Sequence, residues 1–235
     1  MTIQDAIQEY DKFRGRTRET DSLRAIDNPL LHRIGKAADA LGLECYVVGG
    51  YVRDIILERP SKDIDCVVVD PNLDKHRDGP GIRLAHALAK ELGRSAHVSI
   101  FRNFGTAQLK WRDQEVEFVG ARKESYQRNS RKPIVEDGTL DDDLHRRDFT
   151  INAMAYNDRA GVVDAFDGIS DLENKLIKCV RVATERFTED ALRILRAIRF
   201  SAQLGFIIDA DTANAIEELG QNLTLISKER IQTEL

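Results

Sequence analysis

Residues 49–68 of this 235-residue chain are GGYVRDIILERPSKDIDCVV, and most of the fold prediction rests on them. They follow a β-prone run from Cys45 to Val48 and combine a glycine turn, a helical segment ending at a proline, and a β-branched strand. Gly49 and Gly50 let backbone amides approach an anion, and the next helix directs its N-terminus and the Arg53 side chain toward it. The turn lacks the Gly-Lys-Ser/Thr of a Walker loop and the GxGxxG of a dinucleotide fingerprint. It is a candidate triphosphate site or, alternatively, only a tight turn.

An acidic pair lies on the strand that follows. Asp63 and Asp65 stand two residues apart, so both carboxylates project from one face, about 6.5 to 7 Å apart along the backbone. Two adjacent anions repel each other, whereas Mg²⁺ neutralises both and keeps positions open for phosphate oxygens. An isolated Asp-x-Asp is more often a pair of surface acids on an edge strand. Because this pair follows the glycine turn closely, the two features together predict metal-assisted phosphoryl or nucleotidyl transfer.

The sequence on both sides predicts an α/β (α+β) head with a small mixed β-sheet, followed by an all-α neck. Asn28 and Pro29 form a helix start, and Gly42 ends that helix. Periodicity predicts a further helix and three strands, at Ile82–Leu92, His97–Phe101, Thr106–Trp111 and Glu115–Val119. The neck is expected to contain helices at Glu189–Leu204, Asp211–Leu219 and Ser227–Leu235.

The charged segment between Ala121 and Leu144 has no apolar periodicity and is predicted to be a long mobile loop. We therefore divide the chain into an N-terminal extension at residues 1–27, a catalytic head at 28–180 and a helical neck at 181–235. The last helix has no stop signal after Arg230, so a longer natural protein is expected.

Composition excludes several classes of protein. With 42% hydrophobic and 32% charged residues, the chain is neither disordered nor fibrous. The sequence contains no apolar run long enough to span a bilayer and no apolar signal core near the N-terminus. We therefore expect neither a membrane partner nor export. Cys45, Cys66 and Cys179 are far apart and without CxxC spacing, which favours a reducing cytoplasm. The net charge of −5 argues against a nucleic-acid coat protein.

Residues 49–68 strongly resemble the signature of the class II tRNA nucleotidyltransferases, the bacterial CCA-adding enzymes, and of their relatives the bacterial poly(A) polymerases. The resemblance extends over roughly residues 28–235 as further motifs in the expected order. These motifs are VEFVGAR at 116–122, RRDFTINAMA at 146–155, DAFDGISDL at 164–172, EDALRILRAIRF at 189–200 and SKERIQTEL at 227–235.

The resemblance implies a template-independent nucleotidyltransferase that adds CMP and AMP, from CTP and ATP, to the 3′ end of tRNA and releases pyrophosphate. It implies Mg²⁺ on Asp63 and Asp65, with Glu117 as the third catalytic carboxylate, and no protein partner. Arg147 is expected at the triphosphate or ribose, and Asp148 and Asn152 at the sugar hydroxyls. The alternative for these residues is a buried salt bridge that shapes the sheet. The full set of candidate nucleotide-binding residues is Gly49, Gly50, Arg53, Arg147, Asp148, Asn152, Asp190, Arg193, Arg196 and Arg199.

The helix predicted at Glu189–Leu204 has its own pattern. With Thr188 as N-cap, a helical wheel places the apolar residues on one stripe and Asp190, Arg193, Arg196 and Arg199 around the exposed side. The stripe consists of Ala191, Ile194, Leu195, Ile198 and Ala202.

A solvated amphipathic helix would account for this pattern. An aspartate and an arginine one turn apart also match the Watson–Crick edges of cytosine and adenine, because Asp accepts from the exocyclic amine and Arg donates to the ring. The resemblance implies this base-reading role for Asp190 and Arg193, with Arg196 and Arg199 in support.

Three alternatives remain. A bacterial poly(A) polymerase shares every motif, although NFGTAQLKW at residues 103–111 is closer to the CCA-adding form. An A-adding or CC-adding specialist is the second, and the long loop from Arg122 to Leu144 argues against the CC-only form. A non-catalytic nucleotide- or RNA-binding module is the third, and the three intact carboxylates argue against it.

Overall fold

A computed structural model describes residues 28–72, 78–102, 105–125 and 134–235 of the chain. The extension predicted at residues 1–27 lies outside the described residues. The strands of the described part are β1 (Glu44–Val48), β2 (Asp63–Val69), β3 (Ala96–Phe101), β4 (Thr106–Trp111), β5 (Gln114–Gly120), β6 (Arg122–Ser125), β7 (Ile134–Asp137), β8 (Met154–Asn157), β9 (Gly161–Asp164), β10 (Leu176–Ile177) and β11 (Ile207–Ile208).

Helices cover the sheet and form the C-terminal part of the chain. In order they are α1 (Pro29–Ala40), α2 (Gly50–Ile56), α3 (Pro80–Leu92), α4 (Leu140–His145), α5 (Gly168–Glu173), α6 (Ala183–Glu189), α7 (Leu192–Leu204), α8 (Ala210–Leu219) and α9 (Lys228–Glu234). Short 3₁₀ turns lie at Gly93–Ser95, Thr150–Asn152 and Gly220–Leu225. None of the helices in the ranges described is long and apolar enough to cross a membrane.

The main sheet has seven strands in the order β3-β4-β5-β2-β1-β8-β9. The pairing of β2 with β5 is parallel and the other pairings are antiparallel, so the predicted mixed sheet is confirmed. The helix predicted at Asn28 is also confirmed, with the Asn28 side chain accepting from the Leu30 amide at 2.9 Å.

One face of the sheet forms the main core. Helices α1 and α3 pack on it through apolar residues at helical spacing, because each presents one apolar stripe. Large, fully buried members of this core include Leu30, Ile64, Leu84, Leu88, Leu109 and Phe118. Among the residues that the structure describes, the opposite face is covered only in part, where Leu144 of α4 packs with Val48 and Val67. The rest of that face, on β2, β5 and β4, carries the polar side chains of the site.

The mobile-loop prediction for Ala121–Leu144 is wrong for the part of that segment the structure describes. Strands β6 and β7 pair as an antiparallel ladder from Arg122–Asp137 to Ser125–Ile134. Helix α4 begins with a capping box, in which the Thr139 side chain accepts from the Asp142 amide and the Asp142 carboxylate accepts from the Thr139 amide. The tip of the segment, residues 126–133, lies outside the described residues.

The neck is helical, and its only strand within the range 181–235 is the short β11, which pairs in parallel with β10. Its second helix differs from the prediction. Glu189 ends α6, and Asp190 is extended (φ −150°, ψ 105°), so α7 begins at Leu192 instead of Glu189. The predicted apolar stripe is partly wrong as well: Ile198 and Ala202 are exposed, and the buried side chains of α7 are Ile194, Ala197 and Phe200.

Gly168, at the start of α5, offers a direct test of packing. A Cβ atom there would overlap the carbonyl oxygen of Thr150 and lie 3.1 Å from Cγ of Met154. Because backbone atoms must move to relieve this overlap, we expect Gly168→Ala to lower the free energy of unfolding by about 1–3 kcal/mol. Gly220→Ala is the matched control, since a Cβ there meets no described heavy atom within 4 Å. Urea unfolding of both variants measures the difference, and equal stability would contradict the prediction.

Candidate active site

Strand alternation brings the predicted carboxylates to one open face. Along β2, Asp63 and Asp65 are exposed while Ile64 and Cys66 are buried in the core. Strand β5 alternates in the same way and pairs with β2 in parallel register, which places Glu117 directly beside Asp65. The sequence-predicted residues Asp63, Asp65 and Glu117 therefore share one face of neighbouring strands.

Within this group of carboxylates, the pKa of Asp65 is clearly shifted. Partial desolvation of its carboxyl group raises the pKa of Asp65, and the carboxylate of Glu117 raises it further because two anions in proximity disfavour each other. Arg147 acts in the opposite direction, and Asp63 adds a smaller rise. At Asp65, burial and the neighbouring carboxylates thus outweigh the effect of Arg147.

The chemistry of the donor set fits a hard divalent cation. Asp63 and Asp65 offer only oxygen ligands, which Mg²⁺ prefers, and such an ion typically takes one or two carboxylates and completes its shell with water and phosphate. Across residues 28–72, 78–102, 105–125 and 134–235, no group of three or more His, Cys, Asp or Glu side chains is arranged to hold a metal ion. A two-carboxylate site is consistent with that result.

The glycine turn lies against Arg147. Gly49 has a positive φ of 73°, and its amide donates to the Met154 carbonyl at 3.1 Å. A Cβ atom on Gly49 would lie 2.9 Å from Nη1 of Arg147, so glycine is required both by the backbone conformation and by the close approach of this guanidinium. The first amides of α2, from Gly50 onward, lack acceptors within the helix. The turn and Arg147 together form a positively polarised surface.

Asp143 holds Arg147 in this position. The Asp143 carboxylate is fully buried and accepts from Nη2 and Nε of Arg147 at 2.9 and 3.2 Å. Its second oxygen accepts from Nε of Arg146 at 2.9 Å. Sequence reasoning missed Asp143, although its spacing of three and four residues to Arg146 and Arg147, which directly follow the short helix α4, was a usable signal.

Loss of the Asp143 carboxylate should be costly. Asp143→Ala removes the buried carboxylate that two partly buried guanidinium groups share, so we expect the free energy of unfolding to fall by about 3–5 kcal/mol. Asp113→Ala, at an exposed turn, serves as the control and should change stability little. Urea denaturation followed by circular dichroism measures both. A loss below about 1 kcal/mol in Asp143→Ala would show that these pairs are solvated.

Arg53 lies beside the glycine turn, as the sequence predicts, since a Cβ atom on Gly50 would lie 3.5 Å from its Nη2. Its side chain is buried, and Nε and Nη2 donate to the Asp54 carboxylate at 2.9 and 3.0 Å. Nη1 donates to Oδ1 of Asn152 at 2.8 Å, and the guanidinium lies 5.2 Å from the ring centroid of Phe200. The adjacent Asp54 neutralises Arg53 locally, and the hydrogen bond to Asn152 also holds the Asn152 side chain in place.

A chain of hydrogen bonds continues from Asn152 to the neck. Nδ2 of Asn152 donates to Oδ1 of Asp148 at 3.4 Å, and Nε of Arg196 on α7 donates to Oδ2 of Asp148 at 2.7 Å. Both Asp148 and Asn152 are buried. Arg53, Asn152, Asp148 and Arg196 thus form one polar network between head and neck.

The remaining candidates lie on the neck and are also paired. Asp190 accepts from Nη2 of Arg230 at 2.7 Å, and Arg199 donates to Glu234 at 2.7 Å. Arg193 is largely buried, and its guanidinium donates to Glu189 at 2.8 Å and to the Arg146 carbonyl at 2.9 Å. The expected exposed position of Arg193 is therefore wrong.

Arg230 and Glu234 were missed as the partners of Asp190 and of Arg199 on α7. They lie on a different helix, 40 residues from Asp190 and 35 from Arg199 respectively, so no local spacing links them.

Comparison with known proteins identifies the family. The model of the "Poly A polymerase head domain" matches residues 45–178, and that of the "Probable RNA and SrmB- binding site of polymerase A" matches 205–235. The CCA-adding enzyme of Lactobacillus delbrueckii subsp. bulgaricus is 37% identical over 208 residues, which cover 88% of this chain and 48% of that protein. The A-adding tRNA nucleotidyltransferase of Aquifex aeolicus is 40% identical over 190 residues, 79% of this chain and 21% of that one.

A solved structure agrees with these matches. A tRNA nucleotidyltransferase complexed with a primer tRNA and an incoming ATP analog superimposes with a TM-score of 0.71 at 36% identity, covering 86% of this chain and 54% of that one. The chain spans about half the length of the CCA-adding relative described above. Since the head model covers more than half of the sequence and the relatives exceed 30% identity over most of it, the chain belongs to the family of class II tRNA nucleotidyltransferases and poly(A) polymerases.

Proposed function

We propose that the protein is a template-independent nucleotidyltransferase that adds CMP and AMP, from CTP and ATP, to the 3′ end of tRNA and releases pyrophosphate. The observation that carries the proposal is the open face on which Asp63 and Asp65 stand in parallel register with Glu117. Beside it lie the glycine turn and Arg147, which suit a triphosphate. This combination of acids and anion-binding groups is what nucleotidyl transfer requires.

The nucleotidyltransferase family uses a divalent metal ion in general. For this chain we propose Mg²⁺ on Asp63 and Asp65, with Glu117 nearby. When bound, Mg²⁺ would neutralise triphosphate charge and lower the pKa of the attacking 3′ hydroxyl. The Asp65 carboxylate, whose pKa is raised by burial and by its acidic neighbours, would then stay ionised as a ligand.

The other candidate residues of the head are proposed to bind the nucleotide. Amides of the Gly49–Gly50 turn and the guanidinium of Arg147 hold the triphosphate, and Asp143 fixes that guanidinium. Asn152 contacts the ribose. Asp148 accepts a hydrogen bond from Arg196 and so links the position of Asn152 to the neck. Pyrophosphate leaves from the side occupied by Arg147, where its charge is partly compensated.

Base choice is assigned to Asp190, which joins α6 and α7, and to Arg193 of α7. Asp190 accepts from the exocyclic amine that cytosine and adenine share, and Arg193 is proposed to complete the contact. Arg193 is held by Glu189 and by two main-chain carbonyls, so its movement toward a base would break existing hydrogen bonds. Asp190 is therefore the stronger candidate of the two.

The proposed substrates follow from the relatives. One structural neighbour binds a primer tRNA together with an ATP analog, and another, the Bacillus stearothermophilus CCA-adding enzyme, binds CTP. We propose that this chain acts on the same classes of molecule. The three cysteines are buried free thiols, which supports the proposed cytoplasmic location.

An A-adding or poly(A)-adding enzyme is the second candidate. The identity of 40% to an A-adding tRNA nucleotidyltransferase favours it, as does the poly(A) polymerase head model. Both activities would use the same carboxylates and turn, so only product analysis separates them.

The deciding experiment uses tRNA transcripts that end before CCA, after CC, or at a non-tRNA 3′ end. The intact protein is incubated with each RNA and with CTP alone, ATP alone or both, and the products are sequenced. We expect CC from CTP alone and complete CCA from both nucleotides. Addition of A only to the CC-ending transcript would identify an A-adding enzyme, and long A tails on any RNA would identify a poly(A) polymerase. An Asp63→Ala/Asp65→Ala double variant controls for contaminating enzymes.

A further inference from the structure

We infer that the open face of strands β3 and β4, next to the carboxylates, binds the last nucleotides of the RNA 3′ end, with Lys110 on a backbone phosphate and the ring of Phe101 on a base. This inference rests on the proposed function and assigns the RNA-binding part of that same site. It also gives a role to the segment NFGTAQLKW at residues 103–111, which includes β4.

One row of side chains crosses four neighbouring strands of the sheet. Ser99 on β3 is in register with Gln108 on β4, and Gln108 is in register with Glu117 on β5. Glu117 in turn lies beside Asp65 on β2. Since neighbouring strands are about 4.8 Å apart, the row extends about 14 Å from Asp65 to the edge strand β3. The face that carries the carboxylates therefore continues well beyond them.

Strand alternation determines which side chains this continuation presents. On β3 and β4, alternate residues pack into the core and the others face the opposite way. The side chains on that opposite side, which we call the outer face, are those of His97, Ser99, Phe101, Thr106, Gln108 and Lys110. Phe101 is 47% exposed, although large aromatic side chains are mostly buried in folded proteins. Lys110 is exposed and is the only lysine or arginine in this described set.

The proposed triphosphate site determines the side from which RNA must approach. The Gly49 turn follows β1, and Arg147 lies against it, so this site is on the β1 side of β2. In nucleotidyl transfer, the attacking and leaving oxygens lie roughly in line on opposite sides of the α-phosphorus. The 3′ hydroxyl is therefore expected on the β5 side of Asp63 and Asp65. The nucleotides that precede it then lie over β4 and β3.

The chemistry of the outer face suits a single RNA strand. The neighbouring carboxylates repel a phosphate, and Lys110, in register with Glu115, supplies the opposite charge. Within the described part of the chain Lys110 makes no ion pair, so its ammonium group is available to a phosphate. The exposed ring of Phe101 offers a flat apolar surface on which a base can stack. A cation for the backbone and an aromatic ring for a base are the two contacts by which proteins bind single strands.

The test uses the intact protein and a tRNA transcript that ends before CCA. It measures kcat/KM for the RNA at saturating CTP, and KM for CTP at saturating RNA. We expect Lys110→Ala and Phe101→Ala each to lower kcat/KM for the RNA by about fivefold or more, with KM for CTP nearly unchanged. Lys110→Ala should also reduce the slope of log Kd for the RNA against log salt concentration by about 0.7, because one fewer counterion is released. Lys110→Arg retains the charge and should restore most of both values.

Lys90→Ala is the matched control. Lys90 is exposed on α3, which packs on the other face of the sheet, so its loss should change neither kcat/KM for the RNA nor KM for CTP. If Lys110→Ala or Phe101→Ala behaves like this control while the wild type incorporates CMP, the inference is wrong and the proposed function stands. A rise in KM for CTP in place of the effect on RNA would assign the face to the incoming nucleotide and would also overturn the inference.

Failure of the proposed function has a different signature. If the wild type incorporates no nucleotide into any RNA, the proposed function is wrong and the inference falls with it. Lys110 and Phe101 are both exposed, so their replacement creates no cavity in the core. Thermal unfolding of each variant checks that the fold is intact.

Discussion

Asp63→Ala and Asp65→Ala are each expected to reduce nucleotide incorporation to below a few per cent of the wild-type turnover, while the protein remains folded. Both carboxylates lie on the open face of β2, and their removal creates no cavity in the core. Loss of either one leaves only one of the two proposed carboxylate ligands for the divalent cation. One carboxylate is too few to hold the cation beside the triphosphate. Incorporation of labelled CMP into tRNA, measured with Mg²⁺ present, tests this result.

The raised pKa of Asp65 explains why the fold should tolerate the loss of the Asp65 carboxylate. Since that pKa is raised in the folded protein, Asp65 keeps its proton at pH values where the unfolded chain has lost it. Folding stability contributed by this group is therefore present at low pH and declines as the pH rises through the raised pKa. Asp65→Ala removes the decline, so the metal-free variant should be at least as stable as the wild type at neutral pH.

Two controls make the result specific. Mg²⁺ should raise the melting temperature of the wild type and not that of either variant, because an ion that binds only the folded state stabilises it. Glu115 lies beside Asp63 in the same register but is engaged by the side chain of Gln108, so Glu115→Ala should retain most activity. Turnover of more than a few per cent in Asp63→Ala or Asp65→Ala would show that the two-carboxylate assignment is wrong.

The carboxylate face was predictable because it depends on local rules. The β-branched residues predict a strand at residues 63–69, which is where the structure has β2, and strand periodicity alone then places Asp63 and Asp65 on one side. The parallel pairing that brings Glu117 beside Asp65 is a tertiary feature, and only the family resemblance pointed to it. Short-range patterns therefore identified the acids, whereas their assembly depends on the order of strands in the sheet.

The neck was less predictable for physical reasons. Charge and apolar spacing continue without interruption from Glu189 to Leu204, so the sequence contains no visible signal for the break at Asp190. The same holds for the ion pairs that Asp190 and Arg199 form with α9, since ionic contacts between distant segments leave no periodic pattern in the sequence. The β6–β7 pairing was missed because charged residues dominate that segment and few apolar residues mark its strands.

Asp190→Ala is expected to narrow the discrimination between CTP and UTP by roughly tenfold to a hundredfold, which corresponds to the loss of about 1–3 kcal/mol from one base contact. Cytosine and adenine offer an exocyclic amine to the carboxylate, while uracil and guanine present a carbonyl at the corresponding position. Removing the acceptor lowers kcat/KM for the accepted bases and abolishes the repulsion of the others. Because Asp190 lies in the neck and not on β2, binding of Mg²⁺ should be unchanged.

Asp190→Asn sharpens this prediction because it alters hydrogen bonding with almost no change in volume. The amide nitrogen donates where the carboxylate accepts, so the variant should use UTP better than Asp190→Ala does. Arg193→Ala is the contrasting change: its guanidinium binds Glu189 and the Arg146 carbonyl, so its loss should also lower stability. The measurements are kcat/KM for the four nucleotides and urea unfolding of each variant. If the Asp190 variants lost activity equally for all four nucleotides, with their ratios unchanged, Asp190 would serve only to connect α6 and α7, and base selection would lie elsewhere.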